Sequence, residues 1–167
     1  MYAPWRHDYV TDSSRKGKKD IGKNECVFCT QVAANDDDKY FVVKRFKHCF
    51  VMMNYYPYNA GHLMVLPYVH HGLLTELTPE VRADMMEALA VCQTVIGTVL
   101  QPEGFNIGIN LGIAGGGGIP SHLHIHILPR WRGDTNFLEI IGETKLISAD
   151  FVKTFNDLKA GFAALPG

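Results

Sequence analysis

Residues 121–131 read Ser-His-Leu-His-Ile-His-Ile-Leu-Pro-Arg-Trp, so His122, His124 and His126 recur at every second position with apolar residues between them. Strict alternation of this kind belongs to a β-strand, in which successive side chains point to opposite faces of a sheet. The three imidazoles therefore share one face, and Leu123, Ile125 and Ile127 share the other. A shared face brings the histidines together for convergent chemistry or for a common metal.

A length of 167 residues with 47% hydrophobic content suffices for one well-buried domain, and a charged fraction of 20% is ordinary for a soluble globular protein. The formal net charge of −1 supplies no global attraction to nucleic acid or to an anionic membrane, so neither partner is expected and a small-molecule site is. No apolar run approaches the length of a membrane span, and the start, MYAPWRHDYV, lacks the charged-then-apolar order of a signal peptide; a cytoplasmic location is expected. Four cysteines in such a chain do not suggest a disulfide framework, and the spacing Cys26-x-x-Cys29 points to metal or redox chemistry.

Around the histidine strand, the sequence predicts an α+β layer. Thr11–Asn24 is polar, basic and glycine-containing, a solvated connector or, less simply, a phosphate-binding arm. Residues 1–25 are thus expected as leader and connector, and 26–167 as a single domain. KYFVVKRF and HCFVMMN form a hairpin meeting around Lys47, and Gly61–Pro67 is a third strand opened by the turn-like NYYPYNAG. Thr78 caps a helix with Pro79 in its first turn, and Met85, Leu89, Cys92, Ile96 and Val99 follow at helical spacing up to Gln101-Pro102. Phe105–Gly112 and HLHIHILP are two more strands, and Ser148 caps a C-terminal helix carrying Phe151, Phe155, Leu158 and Phe162. Neighbouring strands with few crossover helices favour an antiparallel sheet.

His122-Leu-His124-Ile-His126-Ile-Leu resembles the signature of the histidine-triad (HIT) family, nucleotide-binding hydrolases and transferases that act at an α-phosphorus. NYYPYNAGHLMVLPYVH resembles the family's upstream strand pair and CVFC its N-terminal cysteine motif. PRWRGDTNF and the leader APWR resemble a microbial branch that includes diadenosine tetraphosphate phosphorylases. The resemblance covers most of residues 3–137. It implies a HIT-like antiparallel sheet with one long helix and a C-terminal helix, a homodimer, and a nucleotide or dinucleoside polyphosphate as substrate.

A neutral imidazole can attack phosphorus in line, provided that one ring nitrogen keeps its lone pair while the other donates to a fixed acceptor such as a backbone carbonyl. By resemblance the nucleophile is the middle histidine, His124. His126 resembles the family's phosphate-contacting histidine, and His62 its buried Gly-His histidine, catalytic or purely structural. Asn54 occupies a position like the ribose-contacting residue, and Asn110 resembles a polar phosphate-side residue. Ser121 could donate to phosphate or be an ordinary loop serine. The run Gly115–Gly118, with Gly116 and Gly117 at its centre, suits either a backbone anion nest or a flexible turn. Gly116 stands where the commoner family pattern has glutamine, which favours backbone donors over a side chain. Arg130 could pair with phosphate or with a surface carboxylate, and Trp131 could be a lid or a core aromatic.

Zinc-bearing relatives use the two cysteines, a histidine three residues after the strand's proline, and the first triad histidine. Those positions are Cys26, Cys29, His70 and His122, with His71 an adjacent competitor for the third place. Such a zinc would be structural, pinning the N-terminal segment to the histidine strand. Two other readings stay open: a redox pair at Cys26 and Cys29, which would need a thioredoxin-like βαβ setting, and a noncatalytic nucleotide binder.

Overall fold

The computed structural model describes residues 25–142, 145, 147 and 149–165, apart from the side chains of Leu138 and Ile140. The leader, the connector Thr11–Asn24 and Ser148 lie outside the described residues. Five strands form one sheet: β1 (Val42–Arg45), β2 (Cys49–Met53), β3 (Leu63–Pro67), β4 (Gly104–Ile109) and β5 (Ile125–Arg130). Their order is β1-β2-β3-β5-β4, and every neighbouring pair is antiparallel, as the sequence predicts. The helices are α1 (Val27–Ala33), α2 (Pro79–Leu100), the short α3 (Phe137–Ile141) and α4 (Phe151–Ala163).

Residue alternation divides the sheet into two packed faces. Val51, Met53, Leu63, Val65, Ile125 and Ile127 point into the main core, where they meet the Met85-Leu89-Cys92-Ile96 stripe of α2 and Phe155, Leu158 and Phe162 of α4. Phe50, Met52, Met64 and Leu66 point the other way and pack with Phe28 and both motif cysteines. That is why β2 and β3 are buried at every position rather than at every second one. By length and composition α2 could span a bilayer, which corrects the expectation that no apolar run comes close; in the fold its apolar stripe lies in the core instead.

Thr78 caps α2 by accepting from the Val81 N–H at 3.4 Å, with Pro79 in the first turn. The cap of α4 is Asp150, which accepts from the Lys153 N–H at 2.9 Å. A carboxylate at that position also favours the positive end of the helix dipole. β5 starts only at Ile125, so His122 and His124 precede the ladder. Their segment is held instead by the Leu123 N–H, which donates to the His71 carbonyl at 2.7 Å, and the alternation of faces continues through it. The loop carrying His71 lies so close that a Cβ on Gly72 would stand 2.4 Å from the Pro120 carbonyl oxygen, a space that only glycine leaves open.

Candidate active site and metal-ligand cluster

On the face opposite α2, a cavity of about 450 Å³ opens beside the histidine strand. Phe28, Tyr40, Phe41, Met52 and Ile119 make its apolar walls, while His124, His126, Asn54 and Asn110 gather polar atoms at the wall. That volume and that mixture suit a nucleotide-sized ligand, with apolar surface for a base and a few fixed polar groups for orientation. Phe28 stands against the histidines, 5.4 Å from the His124 ring and 5.6 Å from the His122 ring.

The His124 Nδ1–H donates to the His122 carbonyl at 2.9 Å, so the lone pair sits on Nε2. Burial holds His124 below the usual histidine range despite that bond to the carbonyl, and the ring is neutral near pH 7. A buried, neutral, single-tautomer imidazole lining a cavity is the form in which histidine is a nucleophile.

A second set of bonds fixes His126. The Tyr58 N–H donates to His62 Nδ1 at 3.1 Å, so His62 carries its proton on Nε2. That proton is donated to His126 Nδ1 at 2.9 Å, which leaves His126 protonated on Nε2. His62 is fully buried and stands behind His126 rather than in the cavity wall. Asn54 also turns toward His62: its Oδ1 accepts from the Tyr56 N–H at 3.0 Å, which aims Nδ2 at His62 Nδ1, 3.3 Å away. Asn54 therefore both lines the cavity and supports the histidine behind it.

The remaining histidine of the alternating run faces the cysteines. His122 Nε2–H donates to the Pro67 carbonyl at 2.9 Å, which turns Nδ1 toward Cys26 and Cys29, each with Sγ at 3.4 Å. His70 Nδ1 lies 3.4 Å from Cys29 Sγ, and the four ligand atoms of Cys26, Cys29, His70 and His122 all fall within 4.8 Å of one another. Two thiols and two imidazoles this close together are a ligand set that could hold a metal of tetrahedral preference, with the Pro67 carbonyl fixing one imidazole from behind. Burial drives His122 down to about 4, so the ring keeps its lone pair for a metal. His71 faces away, with Nδ1 3.9 Å from the Glu76 carboxylate, so His70 takes the third place. Among the described residues the motif cysteines open a helix packed on the sheet and no βαβ unit surrounds them.

Residues 35–133 match the family model of the HIT domain. The chain belongs to the HIT family. A protein of Mycobacterium tuberculosis named AP-4-A phosphorylase is 38% identical over 147 residues, covering 88% of this chain and 75% of that one. An asymmetrical bis(5'-nucleosyl)-tetraphosphatase of Schizosaccharomyces pombe is 34% identical over 93 residues, 56% of this chain and 50% of the other. Among solved structures, a zinc-bound histidine triad protein of Mycobacterium smegmatis superposes with a TM-score of 0.70 at 26% identity, covering 85% of this chain and 96% of that one.

Within this HIT fold, His124, His126, Asn54, Asn110 and Gly116 line one cavity, with His62 behind it and the metal-ligand set beside it. The expected backbone nest at Gly116 and Gly117 is corrected. Gly116 N–H closes a turn onto the Ile113 carbonyl at 3.0 Å and Gly117 N–H onto Gly112 at 3.1 Å, so both donors serve the loop itself. Gly116 has φ +86°, a left-handed backbone that explains glycine where the HIT pattern more often has glutamine. Among the described residues, neither Gly117 nor Ser121 is part of the cavity wall, and the Ser121 hydroxyl is buried away from it. Arg130 pairs with Asp134 rather than standing free for phosphate, and Trp131 Nε1–H donates to the Gln101 carbonyl at 3.3 Å. The motifs do not announce the wall supplied by α1 (Val27, Phe28, Gln31) and by the aromatics Tyr55, Tyr56 and Tyr58. Three tyrosines clustered in NYYPY are the available signal, in a stretch otherwise legible as a turn and as part of the family's upstream strand pair.

Proposed function

We propose that this HIT protein cleaves dinucleoside polyphosphates of the diadenosine tetraphosphate type through a nucleotidyl-His124 intermediate. The observation that carries the reading is the tautomer of His124, whose Nδ1 proton is held by its own strand while Nε2 keeps a lone pair beside a nucleotide-sized cavity. Nε2 attacks the α-phosphorus, a nitrogen–phosphorus bond forms, and the bond from that phosphorus to the bridging oxygen breaks. From diadenosine tetraphosphate the leaving group is ATP. A neutral imidazole in the wall of a largely apolar cavity also speaks against a purely binding role.

The acceptor in the second step decides the reaction class. Inorganic phosphate attacking the nucleotidyl-histidine gives ADP and returns the lone pair to His124, whereas water gives AMP. We favour phosphate, on the likeness to the M. tuberculosis protein named as a phosphorylase; hydrolysis is the second reading, supported by the S. pombe protein named as an asymmetrical tetraphosphatase. With diadenosine tetraphosphate as substrate, phosphorolysis yields ADP plus ATP at a rate that rises with added phosphate. AMP plus ATP across a full phosphate titration, with no ADP, assigns hydrolysis instead.

Zinc is the metal that the Cys26, Cys29, His70 and His122 set would hold, because two thiolates and two imidazoles suit its tetrahedral preference. When bound it ties α1 to the histidine strand, and the residues between its ligands place Phe28 against His124. The buried, unbridged thiols of Cys49 and Cys92 favour a reducing compartment, which supports a cytoplasmic place of action.

A homodimer fits the free side of β4, which pairs with β5 on one edge and ends the sheet on the other. Ile107 on that strand is 52% exposed, and Leu111 and Ile113 beyond it are exposed too. An apolar edge of this kind is an association surface. Sedimentation equilibrium should return twice the chain mass, and Ile107→Lys should shift the protein toward one chain; a wild type that stays a monomer at assay concentration removes the dimer.

A further inference from the structure

Asp134 is nearly buried, with 7% of its side chain exposed, yet it lies outside the cavity. Its carboxylate accepts from Arg130 Nε at 2.6 Å, Arg130 Nη2 at 2.7 Å, the Trp131 N–H at 3.2 Å and Asn59 Nδ2 at 2.8 Å. The Arg130 guanidinium holds this carboxyl well below the usual carboxylate range, so it is an anion at any working pH. Asn59 is itself buried, and its Nδ2 reaches the Pro129 carbonyl at 3.0 Å as well. One side-chain amide thus clamps the loop between β2 and β3 onto the end of β5.

That loop is the one that sets the tautomers. The Asn59 carbonyl accepts the His62 N–H at 3.3 Å, and one residue earlier the Tyr58 N–H donates to His62 Nδ1. If the loop shifts, His62 loses the donor that keeps its proton on Nε2, and His126 loses the donor that keeps its own proton on Nε2. In the other tautomer His126 would turn a lone pair toward a phosphoryl oxygen and repel it. We infer that Asp134 and Asn59 are positioning residues, which hold Tyr58 over His62 and so keep His126 as an Nε2–H donor to the reacting phosphate. This rests on the proposed role of the cavity as the site of phosphoryl chemistry.

The Asn54 amide also points at His62 Nδ1, at the longer distance of 3.3 Å, so removing the clamp should loosen the tautomers rather than abolish them. In Asn59→Ala and Asp134→Asn, kcat for diadenosine tetraphosphate should fall about 10- to 100-fold, with KM changed by less than about threefold. Histidine-labelled protein gives the direct readout, since long-range proton–nitrogen spectra separate the two imidazole tautomers. The wild type should show His62 and His126 protonated on Nε2, and both variants should show mixed signals for His126. Arg132→Gln, at the exposed pair of Arg132 with Glu103, should change neither spectrum nor turnover. A wild-type His126 protonated on Nδ1 overturns the inference without any variant, and so do Asn59 or Asp134 variants with wild-type ring spectra. Expected tautomers in a wild type that cleaves no dinucleoside polyphosphate would leave the clamp standing and remove the reaction assigned to the cavity.

Discussion

His124→Ala should lower turnover of diadenosine tetraphosphate by about 10⁴-fold or more while leaving nucleotide affinity within a few-fold of wild type. The asymmetry follows from where the ring sits. His124 contributes one edge of a cavity whose base-sized surface comes from Phe28, Tyr40, Phe41, Met52 and Ile119. Phe28, Tyr40, Met52 and Ile119 also pack with Val42, Phe50 and Leu66, and Phe41 packs on the main core, contacts that survive without the His124 ring. Removing the imidazole deletes the lone pair that attacks phosphorus and leaves the walls standing. Rapid quench with labelled substrate should trap a nucleotidyl-protein adduct in the wild type and none in the variant. Near wild-type turnover in His124→Ala, or a wild-type adduct that maps to another residue, would sink the assigned nucleophile.

Metal removal should have the second large effect, and on stability more than on chemistry. Purified protein should carry close to one zinc per chain. Cys26→Ala or Cys29→Ala should lower that content and cost about 4 kcal/mol, roughly 8–16 °C in Tm. The size comes from what the ligand set joins: α1 contributes two ligands, the loop after β3 one and the histidine segment one, and three chain segments far apart in sequence meet at one point. Loss of the metal frees α1, so the Phe28 wall of the cavity should loosen and KM should rise in the same variants. Wild-type protein that is free of metal and equally stable would rule the site out. His71→Ala, by contrast, should leave zinc content unchanged, because its ring faces Glu76.

Much of this was legible in the residues because it depends on local period. A two-residue alternation sends His122, His124 and His126 to one face and Leu123, Ile125 and Ile127 to the other whatever lies around them, and the structure keeps that division even where the ladder has not begun. Thr78 and Pro79 announced α2 by capping chemistry that acts within one turn. The motif resemblance implied an antiparallel sheet, and the order of its strands came from the structure. Short elements escaped: α1 has only seven residues and no side-chain cap, so nothing within Val27–Ala33 outweighed the cysteine spacing that drew attention to it.

What the sequence by itself determined, then, is the sheet, the long helix, the shared face of three histidines and the family. What only the tertiary structure decided is which nitrogen of each ring holds its proton, that His70 rather than His71 joins the cysteines, that the Gly116 and Gly117 donors close their own turns, and that Arg130 answers to Asp134. The physical reason is the range of the forces. Side-chain period and capping are set by covalent neighbours, whereas a tautomer is set by whichever donor or acceptor lies within about 3 Å in space. For His124 and His62 those partners are a carbonyl two residues back and an amide four residues back in the same loop, placed by the local chain path. For His126 and His122 they are a ring 64 positions away and a carbonyl 55 positions away, which meet only when the sheet closes.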